Sequence, residues 1–267
     1  MERDSPMRTY KDILENGKYV DWTAQLPWRA PGNAMVHSPC GVYGGNPFGC
    51  PNGDPREGFC QYAGYAHGPD ARTFKFPSVV TTEWRAGAEV EVIWGINANH
   101  GGGYSYRLCR LPEMGRVALT EECFQEMTLD FVGNTQWVQF HNGTRVEFPA
   151  LRTRNGTAPY GSQWTRNPIP ACSGSNGGFN DPVVCPNGTQ FDPPVPGVFG
   201  FGLHGITDGS NRTQMYNLKY DFDWSIVDLV KLPAHLEPGE YVFSQRWDCE
   251  QTAQVWTSCS DIRIVAA

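Results

Sequence analysis

In EVEVIWGIN, residues 89–97, the side chains Val90, Val92, Trp94 and Ile96 recur at every second position. That is the period of a strand with one face turned toward a core. The same alternation returns in YSYRLC, where Tyr104 and Tyr106 oppose Ser105 and Arg107. WVQFHNGTRVEFPA reads as a hairpin around Asn142-Gly143, a pair suited to a two-residue turn. Near the end, WSIVDLVKLPA, EYVFSQRWDCE and SDIRIVA read as three further strands, the first two joined by a turn centred on Pro238 and Gly239. Between these runs the chain is punctuated by 30 glycines and 21 prolines, which favours short strands and long turn-rich loops over helices. The expected fold is therefore all-β, an immunoglobulin- or fibronectin-like β-sandwich with long, disulfide-pinned loops. Residues 1–21 read as a poorly structured segment, with a short helix at Tyr10 to Leu14, and residues 22–267 as a single sandwich domain.

The totals narrow the function. A chain of 267 residues can bury a sizeable core. A net charge of −7 argues against a nucleic-acid partner, whose phosphates would repel it, and leaves neutral polysaccharides open. No run approaches the ~18 consecutive apolar residues of a membrane-spanning helix, so no membrane partner is expected. A monomer is expected.

Nine cysteines are spread along the chain without a CxxC pair, so they read as disulfides and imply an oxidising compartment. Cys109, Cys123, Cys249 and Cys259 stand as candidate disulfide cysteines, and Cys249 with Cys259 brackets a loop that one bridge closes easily. Four N-x-[S/T] sequons, at Asn142, Asn155, Asn187 and Asn211, agree with secretion. The opening MERDSPMRTY has no apolar core of a signal peptide. Together with the odd cysteine count, this gives the expectation that the start of a longer protein is missing.

His100 raises the question of chemistry, because it stands at the mouth of Gly101, Gly102 and Gly103 directly after the first strand. It is either a hydrogen-bonded structural group or a metal ligand with cleared surroundings. No HxH, HxxxH or HExxH spacing occurs among the six histidines, so local sequence assembles no metal site. Near the C-terminus Gln254 and Trp256 stand two residues apart, on one side of an extended segment.

Taken together, WGINANHGGGYSYRLC, LPAHLEPGEYVFSQRWDCE and QVWTSCSDIRIV resemble the lytic polysaccharide monooxygenases and their chitin-binding type-4 relatives, in order and spacing over about residues 75–265. The resemblance implies a copper cofactor held by a histidine brace, with His100 as its second histidine. It implies Gln254 as the glutamine beside the metal and Trp256 as the aromatic on the axial side, where the family usually has Tyr or Phe. It also implies a structural polysaccharide, chitin or cellulose, as partner, with Tyr43, Tyr62, Tyr65, Tyr104 or Trp164 available to stack on sugar rings. A brace needs a histidine with a free amino group, and this chain begins with methionine; His37 in AMVHSPC is the earliest alternative. The resemblance therefore implies either a copper monooxygenase whose brace is incomplete as written or a non-catalytic carbohydrate-binding or wall-matrix module. A third reading, a hydrolase with paired carboxylates, draws on Asp221, Asp223, Asp248 and Glu250.

Overall fold

A computed structural model describes residues 31–33, 36, 38–41, 70–74, 81–96, 99–171, 188–200, 224–249 and 255–267, together with the backbone of 14–15 and 18–19. The protein is all-β, as the alternation predicts. In chain order the strands are β1 (Leu14–Glu15), β2 (Lys18–Tyr19), β3 (Thr82–Arg85), β4 (Glu89–Trp94), β5 (Gly103–Arg110), β6 (Thr128–Phe131) and β7 (Thr135–Phe140). They continue with β8 (Arg145–Pro149), β9 (Arg152–Thr153), β10 (Trp164–Arg166), β11 (Trp224–Lys231), β12 (Gly239–Asp248) and β13 (Val255–Val265). β1 and β2 form a small antiparallel ladder, with Leu14 opposite Tyr19; of the short helix expected at Tyr10 to Leu14, residues 10–13 lie outside the described residues.

One sheet folds back on itself into two layers. The first layer runs β3, β13, β12, β5, with β10 and β9 continuing beyond β5; the second sets β4 on one side of β11 and β7 and β8 on the other. β6 joins them, because Tyr106 and Arg107 of β5 pair with its first half while Val230 and Lys231 of β11 pair with its end. Most neighbours are antiparallel; β3 and β13 run parallel.

The interior follows from the two-residue period. β5 sends Tyr104, Tyr106 and Leu108 inward, β11 sends Trp224, Ile226 and Val230, and β12 with β13 adds Tyr241, Trp247, Ile262 and Ile264. Rings interlock across the layers, where Trp94 lies 4.7 Å from Tyr104 and 5.7 Å from Trp247, and within the first layer, where Tyr106 stacks on Phe243 at 5.3 Å. Such contacts add roughly 1 kcal/mol each beyond area burial.

The outer face of the first layer is covered too, which the alternation in YSYRLC did not foretell. A short helix, α1 (Glu121–Glu126), is capped by Thr120, whose hydroxyl oxygen accepts from the Cys123 N–H at 3.3 Å. Its Phe124 packs with Cys40, Cys109, Leu119 and Val242 over that face. Consequently Ser105 and Arg107 are as buried as the tyrosines they alternate with. Disulfides fasten both covering pieces: Cys109–Cys123 holds α1, and Cys40–Cys259 holds the 38–41 segment to β13. The closure of Cys249 onto Cys259 expected from sequence is thus not formed. Cys259 sits in mid-strand, on the outer face that Cys40 reaches, rather than at the end of a closed loop.

The β7–β8 hairpin is present, but its turn is centred differently from the expected Asn142-Gly143. The Gly143 N–H donates to the Phe140 carbonyl at 2.9 Å and Phe140 N–H to Thr144 at 2.8 Å. Gly143 itself, at φ 83, fills the left-handed position of a three-residue connection. Since Cys40–Cys259 closes a sequence separation of 219 residues, replacing both cysteines by alanine should lower stability by roughly 2–4 kcal/mol. Urea unfolding of the double variant against wild type, without reductant, measures this.

Candidate functional site

The strand ends at Gly103, Asp248 and Val255 lie side by side, since Gly103 pairs with Asp248 and Asp248 with Val255. The His100 loop enters here. Asn99 organises it: its side-chain amide donates to the Ile169 carbonyl at 2.8 Å, and its Oδ1 accepts from Gly101 N–H and from Asn167 Nδ2. The Asn167 N–H donates in turn to the Gly102 carbonyl at 2.8 Å. The indole of Trp247 donates to the Gly101 carbonyl at 2.8 Å. Trp247 pairs directly with Trp256 on β13. His100, the β12 strand and Trp256, three features separated by up to about 150 residues of chain, therefore meet at one corner.

The glycines after His100 do not clear a surface. Gly101, Gly102 and Gly103 are buried, and His100 retains 2 % exposure. Gly101 has φ 66, and a Cβ on it would stand 2.6 Å from Nε2 of Gln190. Glycine is there because the backbone is left-handed and a neighbouring amide presses on it. Trp256, by contrast, is 39 % exposed.

Several sequence-predicted residues occupy other roles. Tyr104 at 0 % exposure and Trp164 at 1 % are core residues, so neither is available to stack on a sugar. Tyr104 points inward by strand parity, and Trp164 is held by its indole N–H donating to Ser162 at 3.2 Å. Among the described residues the most exposed aromatic is Tyr160, 99 % accessible at the tip of the β9–β10 connection. Asn142 and Asn155 lie on exposed turns. His37, Tyr43, Tyr62, Tyr65, Gln254, Asn187 and Asn211 lie outside the described residues, as do Asp221, Asp223 and Glu250 of the hydrolase reading. Asp248 is buried and committed: it pairs with Arg246 at 2.8 Å and accepts from Gly32 N–H at 2.9 Å.

Two buried polar groups escaped the sequence reading. On the outer face of the first layer, Glu121 of α1 bridges the guanidinium groups of Arg107 and Arg246, the latter at 2.8 Å. Between the layers, Asp228 of β11 accepts from the hydroxyls of Tyr104 at 2.7 Å and Tyr106 at 2.9 Å, and from Gln136 Nε2 at 2.8 Å. Burial pushes the Asp228 carboxyl upward, partly offset by the Gln136, Tyr104 and Tyr106 hydrogen bonds. Burial, with the Asp228 charge beside them, raises both tyrosines well above the ordinary phenol range. The signal was present in WSIVDLVK, where Asp228 has the same parity as Trp224, Ile226 and Val230. An acid at an inward position must find partners.

Among the described residues no three His, Cys, Asp or Glu side chains gather as a metal site. His141 and His235 are exposed on turns, and His235 belongs to the β11–β12 turn at the opposite end of the strands from His100. The described residues by themselves do not fit a copper centre: they offer one imidazole, beneath the surface. No helix among them is long and apolar enough to cross a membrane.

No protein-family model matches the chain. Among solved structures, its backbone is similar to a lytic polysaccharide monooxygenase AA15 from Thermobia domestica in the Cu(I) state. That likeness has TM-score 0.31 and 14% identity, over 70% of this chain and 64% of that one, so this chain spans less than two thirds of that structure's length. It is also similar to AvmM, described as catalysing macrocyclization in alchivemycin A biosynthesis, with TM-score 0.22 and 9% identity over 70% and 85% of the two chains.

A raised carboxyl stabilises the fold below the unfolded Asp range and loses that contribution as pH rises through its folded value. Asp228→Asn removes the buried charge, and a flipped Gln136 amide can answer the new NH2. Thermal unfolding across pH should therefore shift in favour of D228N over wild type as pH rises. Asp228→Ala, which removes the partner of two buried hydroxyls, should lose on the order of 3 kcal/mol at acidic pH, with the deficit narrowing as pH rises.

Proposed function

We propose that this chain is a secreted, monomeric polysaccharide-binding β-sandwich of the lytic-monooxygenase type, engaging chitin or cellulose at the strand end that presents Trp256. The supporting observation is convergence: the His100 loop, β12 and β13 bear the sequence resemblance, and they meet through the Trp247–Gly101 hydrogen bond and the Trp247–Trp256 pairing. A partly exposed indole on a regular strand offers a flat apolar face of the kind that stacks on a pyranose ring. Two disulfides, and sequons at Asn142, Asn155, Asn187 and Asn211 as glycan acceptors, suit an oxidising, extracellular setting.

A copper monooxygenase is the second reading, favoured by the placement of His100 next to the Gly101 carbonyl that Trp247 holds. Copper, when bound, supplies oxidation of a C–H bond at a glycosidic linkage with a reductant and oxygen or peroxide. In this reading His100 would provide one imidazole, with His37, Gln254 and Trp256 as the further residues that the sequence resemblance implies.

A sedimentation assay on chitin and on cellulose, with and without a chelator, separates the readings. The binding reading expects retention that ignores the chelator and falls at least several-fold in Trp256→Ala, with the Trp256→Tyr variant retaining most of it. Retention on neither polymer, or retention indifferent to Trp256, removes that reading. A stoichiometric copper EPR signal lost in His100→Ala would install the second.

A further inference from the structure

The tripeptide Asn-Gly-Thr occurs at 142–144, 155–157 and 187–189, and Asn187 of the third copy lies outside the described residues. The fold places the first two copies in opposite chemical situations. At the β7–β8 hairpin the Gly143 N–H is occupied by the Phe140 carbonyl at 2.9 Å, and Asn142 Oδ1 accepts from Thr144 N–H at 2.9 Å. The backbone nitrogen that could attack the side chain is thus engaged, and the side-chain carbonyl is fixed. In the β9–β10 connection, Asn155 uses only its own N–H, which donates to Thr153 Oγ1 at 3.0 Å. Among the described residues nothing hydrogen-bonds the Asn155 side chain or the Gly156 N–H, and Asn155 is exposed.

We propose that Asn155–Gly156 is a site of spontaneous deamidation in the folded protein and that Asn142–Gly143 is protected from it. The Gly156 nitrogen, deprotonated by hydroxide, attacks Cγ of Asn155. A Cγ–N bond forms, the Cγ–Nδ2 bond breaks and ammonia leaves with a proton from solvent. Water then opens the succinimide at either carbonyl, giving aspartate or isoaspartate. Glycine suits the step because it has no side chain to hinder the closing ring.

The consequence falls on the turn that presents Tyr160. Thr157 Oγ1 ties it to the carbonyls of Arg154 at 3.0 Å and Ser162 at 2.9 Å, and Ala158 N–H donates to the Pro31 carbonyl at 2.8 Å. Isoaspartate lengthens the main chain by one carbon within this turn and adds a negative charge beside Arg154, which pairs with Asp130 at 2.8 Å. This modification stands apart from the polysaccharide reading and is open to those molecules whose Asn155 carries no glycan.

The test ages the full chain, produced without glycosylation, at mildly alkaline pH. Peptide mass spectrometry with isoaspartate-specific fragmentation then follows both sites, in native buffer and in concentrated urea. The expected result is conversion at Asn155 at least several-fold faster than at Asn142 when folded, with the two rates converging in urea, where the shared tripeptide alone governs. Equal folded rates, a faster Asn142, or a folded Asn155 slower than in urea to the same degree as Asn142 would overturn the proposal.

Discussion

The carboxylate of Asp228 sits between the two layers, where water cannot solvate it, and takes three hydrogen bonds from β5 and β7. Its presence dictates much of the interior. Tyr104 and Tyr106 must point at it from β5, and Gln136 must reach it from β7. A buried acid with directional partners admits one alignment of the layers, because sliding either strand strands the carboxylate without donors. Apolar neighbours such as Ile226 and Val230 fill volume but are indifferent to small shifts. The rings of Trp94, Tyr104 and Trp247 then pack around the alignment the acid has fixed.

A second constraint works on the other side of β5. Arg107 and Arg246 lie beneath α1 and share Glu121, while Asp248 takes Arg246 and the Gly32 N–H. Charges so placed require a cover that supplies counter-charge, and the covering pieces are held by disulfides instead of by large apolar faces. β5 is therefore sealed on both faces. At the strand ends of the first layer stands the partly exposed Trp256, beside the buried His100 loop, and the β9–β10 connection presents Tyr160.

Much of the strand pattern was legible, because a period of two over Val90, Val92, Trp94 and Ile96, or over the residues of β11, leaves few alternatives. The convergence of His100 with Trp256 was legible only through resemblance, since nothing local ties residues so far apart. Tyr104 and Trp164 illustrate the opposite outcome. An aromatic side chain is suited equally to a core and to a sugar ring, and only its strand parity relative to the second layer assigns it. The Cys40–Cys259 bridge was illegible for a related reason: connectivity depends on which segment crosses β13, not on spacing along the chain.

By itself the sequence determined an all-β chain, its main strands and the use of cysteines in disulfides, because alternation, glycine and proline act over a few residues. Tertiary structure alone decided that the glycines after His100 serve packing, that β5 is buried on both faces, and which aromatic residues reach solvent. Those outcomes depend on what is laid against a strand after it has formed, and neither period nor composition encodes the identity of that neighbour.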